Sequence, residues 1–473
     1  MSLHFLRLPV SMILACLFLS FVSCSKDTDL LSDYISSEEL AQIVNIEVIG
    51  LSSQSIIINP VDYGIDGNIT QVTEPSNGSV VINSDNTMTY TPQSTETNTN
   101  ESSTDEFNYT SESTQNTGST STSEGTVKVI TTNDDVEYWR LRFDAEWVDN
   151  DNQVDYLDAT AKAQSGNVDQ EYYYLGYYVD GLMKIWQATG DNKYLDRSLE
   201  LIDITVDDAV DVGGGYLGWP NKDNDGYALW DSFYWRYVAT LLRIMYKSPN
   251  LRATGNYQAE YERLLAFTEK HIWERYESQG LNNFYRINTH MTSHWARIGM
   301  ELFIITGKSK YKTVFENISF GKMIGRPSNL RNQFKPNAQV PSAYTWSQLW
   351  DSDKVQDTSH AGAIVSFIVT AYENGMYWNE SDIEALTSTV KDVIWKDSYG
   401  SEFMKNVDGS GGFDLFGRLH DWLNLARYDQ ELQNKIKNEY TGMNLTFYGV
   451  QPLGIAALNA RVLADGRPVY PEQ

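Results

Sequence analysis

At 473 residues the chain exceeds one small domain, and its length suggests about two to three folding units. A formal charge of -27 excludes the basic footprint that nucleic acid requires, so no nucleic-acid partner is expected. The same charge looks awkward for a polyanionic substrate, but salt confines charge effects to about 8 Å, so a local Arg/His pocket still suits an anion.

Residues 1–23 read as an export signal, with Arg7 before an apolar run from Leu8 to Val22. That run is too short for a membrane-spanning helix. Phe21-Val22-Ser23-Cys24 resembles a bacterial lipobox, which implies lipidation of Cys24 and an outer-membrane, cell-surface location. Residues 24–42 follow as an acidic tether like those of Bacteroidetes surface lipoproteins. The only cysteines, Cys16 and Cys24, fall in this leader, so the body has no disulfide and no cysteine metal site.

Residues 43–133 alternate in short runs (Ile46–Ile49, Ser55–Ile58, Val80–Ile82, Met88–Tyr90, Phe107–Thr110, Thr126–Ile130) separated by turn residues such as Pro75–Gly78. Strands at this spacing predict a small all-β sandwich. The wording EPSNGSVVINSDNTMTYTP resembles bacterial Ig-like or cadherin-like modules, which implies a spacer, with carbohydrate binding as a second role. The Ser/Thr/Asn-rich stretch from Gln93 to Thr104 reads as a loop.

From Asp134 to Gln473 the periodicity is helical, making the chain mainly α. Tyr172–Trp186 is apolar on most faces, as an inner helix would be. Thr189-Gly190-Asp191 and Thr306-Gly307-Lys308 punctuate two related hairpins, and about six or seven such pairs fit the length. An (α/α) toroid follows, its inner helices around a central funnel.

Four stretches carry candidate chemistry. Asn337–Gly362 gathers Tyr344, Trp346, Trp350, Asp351, Asp353, Asp357 and His360 in a polar, aromatic loop that feeds a helix. His360 there reads equally as a helix N-terminal residue behind a Thr358 or Ser359 cap. Asn283–Arg297 holds His290 and His294 four apart, hence on one helix face, flanked by Arg286, Asn288 and Arg297. That spacing is weak evidence for metal, and no metal or other cofactor is expected to be required. Gly412–Trp422 offers Arg418 and His420, suited to a carboxylate or sulfate, or to a local cap with Asp421. Asn221–Gly226 resembles the start of a calcium loop through Asp223 and Asp225 but lacks the closing glutamate, so structural calcium is a minor expectation. Beyond it, Trp230, Tyr234, Trp235 and Arg236 form an aromatic helix suited to lining the funnel.

β-Elimination beside a uronic acid needs a carboxylate holder, a base for the C5 proton and an acid for the leaving oxygen. Histidine, tyrosine and arginine supply that set without paired carboxylates. The stretches NTHMTSHWAR and AYTWSQLWD…QDTSHAG resemble (α/α)-barrel polysaccharide lyases of marine and gut Bacteroidetes that act on alginate, glucuronan or ulvan. The resemblance runs from Glu137 to the C-terminus and implies a histidine and a later tyrosine as the base/acid pair, a separation that His290 and Tyr344 match. On residue chemistry His294, His360 and Arg297 are expected to handle the uronate carboxylate, with His294, Asn288 or an arginine as its neutralising partner. The resemblance departs from relatives that place a glutamate just upstream of the histidine. Ulvan and alginate are the favoured substrates, and a monomer is expected. The alternatives are a toroid glycoside hydrolase of the unsaturated-uronyl type, using Asp231, Asp351 and Asp357, and a glycan-binding lipoprotein without turnover.

Overall fold

The computed structural model describes residues 44–93, 102–114, 120–147, 154–220, 228–414, 419–439 and 449–472. The leader with Cys24, the tether, Asp223, Asp225 and Arg418 lie outside the described residues. The chain divides into two compact units between Thr131 and Thr132.

The first unit carries β1 (Ile46–Leu51), β2 (Ile56–Ile58), β3 (Asn68–Val72), β4 (Gly78–Ile82), β5 (Met88–Pro92), β6 (Ser103–Thr114) and β7 (Thr120–Thr132). They form two sheets, β1-β7-β6-β3 and β2-β5-β4. Alternate side chains of both sheets, among them Ile46, Val48, Val80, Tyr90, Phe107 and Val127, share one core. The buried carboxylate of Asp105 accepts the Tyr90 hydroxyl at 2.8 Å and the backbone N–H groups of Ser76 and Asn77 at 2.9 and 2.8 Å. Those bonds tie the Pro75–Gly78 turn to β6 and satisfy a charge that would be costly alone.

The second unit is helical. Its main helices are α1 (Asp135–Trp147), α2 (Val154–Ala163), α3 (Glu171–Thr189), α4 (Asn192–Asp207), α5 (Ala228–Tyr246), α6 (Tyr257–Phe267), α7 (Thr289–Thr306), α8 (Ser309–Ser319), α9 (Thr358–Glu373), α10 (Glu380–Ser388), α11 (Gln430–Glu439) and α12 (Gln451–Asp465). A 3-10 segment, His420–Tyr428, stands between α10 and α11.

Six of these elements pack side by side in a closed ring: α3, α5, α7, α9, the 3-10 segment and α12, which returns to α3. They are buried on nearly all faces, whereas outer partners such as α4 and α11 alternate buried and exposed positions. This is an (α/α) toroid. The hairpin punctuation works as expected from sequence: Gly190 and Gly307 end α3 and α7 in the left-handed conformation, at φ of 75° and 70°, and Asp191 caps α4 by accepting the Lys193 N–H.

The ring closes where two glycines meet. A methyl group on Gly454 would collide with the Gly181 carbonyl oxygen, so α12 and α3 touch backbone to backbone.

Candidate functional site

The N-terminal ends of the inner helices surround a cavity of about 200 Å³. Four of the six histidines face it: His290 and His294 from α7, His360 from α9 and His420 from the 3-10 segment. Tyr173 and Tyr177 come from α3, and Trp230, Phe233 and Arg236 from α5.

The first turn of α9 sets the most directed group. Asp357 is the N-cap: its Oδ1 accepts the His360 backbone N–H at 3.0 Å. This corrects the expectation of a Thr358 or Ser359 cap. The same carboxylate lies 2.8 Å from His360 Nδ1. Burial would raise the Asp357 carboxyl, but the hydrogen bond and charge of His360 hold it down to about 2. An ionised carboxylate only accepts, so Nδ1 carries a proton and Nε2 is the ring nitrogen left free of the carboxylate. The sequence thus builds an Asp–His dyad from a helix cap, with His360 about half-exposed on the cavity wall.

His290 lies against it, ring centroids 4.3 Å apart. Burial chiefly, then the charge of His360, pushes the His290 pKa down to about 3. His294 is fully buried and also held well below the usual histidine range, first by burial and then by Arg236. Both rings are therefore neutral near pH 7.

Arg236 reaches the cavity from beneath, between the rings of Phe233 and Tyr237 at 4.3 and 4.4 Å. Burial opposes its charge, but Tyr237 and Asp421 hold the guanidinium above its ordinary value. Asp421 lies 3.4 Å away, and Gln451 of α12 donates to both Asp180 (2.8 Å) and Asp421 (3.4 Å), so the last inner helix locks the floor. Among the described residues, Arg236 Nε and Nη1, His290 Nδ1 and both ring nitrogens of His294 are buried without a hydrogen-bond partner. Buried polar atoms are ordinarily paired, so this cluster marks a place built for a polar ligand. Among the described residues, no group of three or more His, Cys, Asp or Glu side chains is placed to hold a metal ion.

The structure brings His290, His294, His360, Trp230 and Arg236 together as expected from sequence. Other expected site residues stand elsewhere. Tyr344 does not line the cavity, so the expected His290/Tyr344 pair is not assembled. Its hydroxyl donates to Asp382 at 3.0 Å and its ring stacks on Phe334 at 5.0 Å. Trp346 is buried against Phe334 and Trp422.

Arg297 is buried below the cavity, donating to Thr240 and Ser366 at 2.9 and 2.8 Å. Tyr234 and Trp235 face outward on α5, bonded to Thr205 and Thr268. Asn288 precedes α7 and accepts Thr292 at its carbonyl, and the Arg286 carbonyl takes the Trp350 indole N–H at 2.7 Å. Neither lines the cavity. Asp231, expected as a hydrolase carboxylate, is buried and held by Arg275 and Tyr276 at 2.9 and 2.8 Å.

Tyr173, Tyr177 and Phe233 were not singled out from sequence, and His420 was weighed as an anion ligand or as a local cap with Asp421. The signal for the tyrosines was present in the YYYLGYY run, where hydroxyls sit on a face too apolar to need them.

No family model matches the chain, and no curated protein matches it. Among solved structures it is similar to the GH76A α-1,6-mannanase of Salegentibacter sp. HEL1_6, with 12% identity over 62% of this chain and 90% of that one and a TM-score of 0.35. An inactive variant of that enzyme in complex with α-1,6-mannotetrose gives 13% identity, 62% and 89% coverage and a TM-score of 0.36. Those proteins are glycoside hydrolases, the class of the alternative expected from sequence, and not lyases.

Proposed function

We propose that the chain is a polysaccharide lyase that cleaves uronate-containing glycan by β-elimination. The observation that carries this reading is the Asp357–His360 dyad, a base oriented into a cavity beside a neutral His290 and a buried arginine. In the proposed step Arg236 and His294 hold the uronate carboxylate and stabilise the charge that develops on it. His360 Nε2 takes the C5 proton, C4=C5 forms and the C4–O bond breaks. The Tyr173 hydroxyl, which burial keeps protonated, gives its proton to the departing oxygen. Trp230 and the Tyr173–Phe233 stack, 3.7 Å between centroids, give a ring-sized apolar wall for the sugar.

The reading of ulvan or alginate as substrate, with glucuronan behind, belongs to the same proposal and is supported by the stretches around His290 and His360. So does lipid attachment at Cys24 and an outer-membrane site, supported by the export signal.

One observation favours hydrolysis as a second reading: Asp169 and Asp421 both line the cavity, and paired carboxylates are what a glycosidase uses. Against it, Asp421 is fully buried and paired with Arg236. Mass spectrometry of the products separates the two. Elimination leaves a new non-reducing end lighter by one water than the hydrolytic product, and hydrolytic masses alone would overturn the lyase reading.

A further inference from the structure

At the opposite, C-terminal ends of α3, α5, α9, the 3-10 segment and α12 lies a second cavity of about 380 Å³. Arg243, Lys247, Arg427 and the exposed Arg467 line it, and because Arg243 is held by the buried Glu301 at 2.6 Å, Lys247 and Arg467 are the cations left for a ligand. Its two carboxylates are engaged. Glu373 accepts Arg427 at 2.7 Å and the Tyr428 hydroxyl at 3.0 Å, and Glu472 accepts the backbone N–H groups of Asn250 and Leu251.

Helix C-termini attract cations, which accounts for some of this charge. Two facts go further. Arg467 makes no hydrogen bond or ion pair among the described residues, and Lys247 has the Asn374 amide oxygen, at 2.7 Å, as its hydrogen-bond partner. Gln187, 6% exposed, lines the cavity with its Oε1 buried and unpartnered, although its amide N–H donates to the Tyr470 carbonyl. An acceptor beside cations asks for a ligand that is both anionic and a hydroxyl donor. Tyr372 and Tyr428, edge to face at 5.6 Å, add ring surface to one wall.

We propose that this cavity is a second binding site for a carboxylated sugar of one or two rings, its carboxylate on Lys247 and Arg467 and a hydroxyl on Gln187. The choice of an acidic sugar over another hydroxylated anion rests on the lyase reading of the first cavity.

The test is calorimetric titration of glucuronate into the full chain carrying His360→Ala, with glucose and inorganic sulfate in parallel. Saturable glucuronate binding is expected, weakened at least tenfold by Lys247→Ala with Arg467→Ala and by Gln187→Leu, with glucose silent. Sulfate binding that depends on the two cations but not on Gln187, without glucuronate binding, would overturn the sugar assignment. Glucuronate binding unchanged by all three substitutions would overturn the site. Because Arg236 holds the carboxylate in the first cavity, binding lost on Arg236→Ala belongs to that cavity and the lyase reading, whereas binding that survives Arg236→Ala and is lost on the Lys247, Arg467 and Gln187 substitutions belongs to this one, so the two readings fail with different patterns.

Discussion

Asp357 holds His360 twice, through the backbone N–H at 3.0 Å and through the ring Nδ1 at 2.8 Å. One carboxylate therefore both starts α9 and fixes which ring nitrogen faces the cavity. The two roles separate by substitution. Asparagine caps helices about as well as aspartate, so Asp357→Asn is expected to cost less than about 1 kcal/mol of stability. It removes the charge that sets the tautomer, and kcat is expected to fall roughly 10²- to 10⁴-fold, as for loss of a positioned base. Equilibrium denaturation beside steady-state kinetics checks both; a variant that keeps its kcat refutes the dyad.

Stability should depend on pH through His290. Its folded value of about 3 lies below the ordinary 6.5, so the unfolded chain binds more protons between those values. The contribution is complete above pH 6.5 and is lost as pH falls toward 3. The midpoint of thermal unfolding is expected to drop between pH 6.5 and 4, and His290→Gln is expected to flatten that decline. Equal slopes for the two proteins would contradict the buried, neutral assignment.

Tyr344 belongs to a structural cluster. Asp382 takes its hydroxyl at 3.0 Å and the Arg331 guanidinium at 2.6 and 2.7 Å through its two oxygens. Tyr344→Phe removes one hydrogen bond, worth about 0.5–1.5 kcal/mol, and kcat/KM is expected to stay within about twofold. A loss near that of a positioned acid or base, roughly 10²-fold or more, would return Tyr344 to the chemistry.

Ring closure has its own test. Gly454→Ala would press a methyl into the Gly181 backbone, forcing α12 away from α3. Overpacking of this kind costs about 1–3 kcal/mol. Because Gln451 on α12 braces Asp421 below Arg236, activity is expected to fall together with stability. Unchanged denaturation midpoints would show that the two helices part without cost.

How legible was this in the sequence? The helical punctuation at Gly190 and Gly307 was, because a left-handed cap is local and needs no tertiary information. The i,i+4 pairing of His290 and His294 was too, since helix geometry alone places them on one face. Tyr344 was expected beside His290 from a separation along the chain, which says nothing about which wall of the ring a loop residue meets, and Arg331 and Asp382 come from distant elements. Tyr234 and Trp235 share a helix with Trp230 and Arg236, but their direction depends on where the ring centre lies. Asp421 and Gln451 matter only through partners on other helices, a relation no single stretch displays.

The most direct test of the central claim is ultraviolet absorbance during incubation of the protein with ulvan, alginate and glucuronan separately, the His360→Ala variant run beside it. The account predicts rising absorbance from the conjugated double bond of an unsaturated uronate on at least one glycan, abolished in the variant. Flat traces on all three while new reducing ends accumulate would contradict it and establish hydrolysis instead.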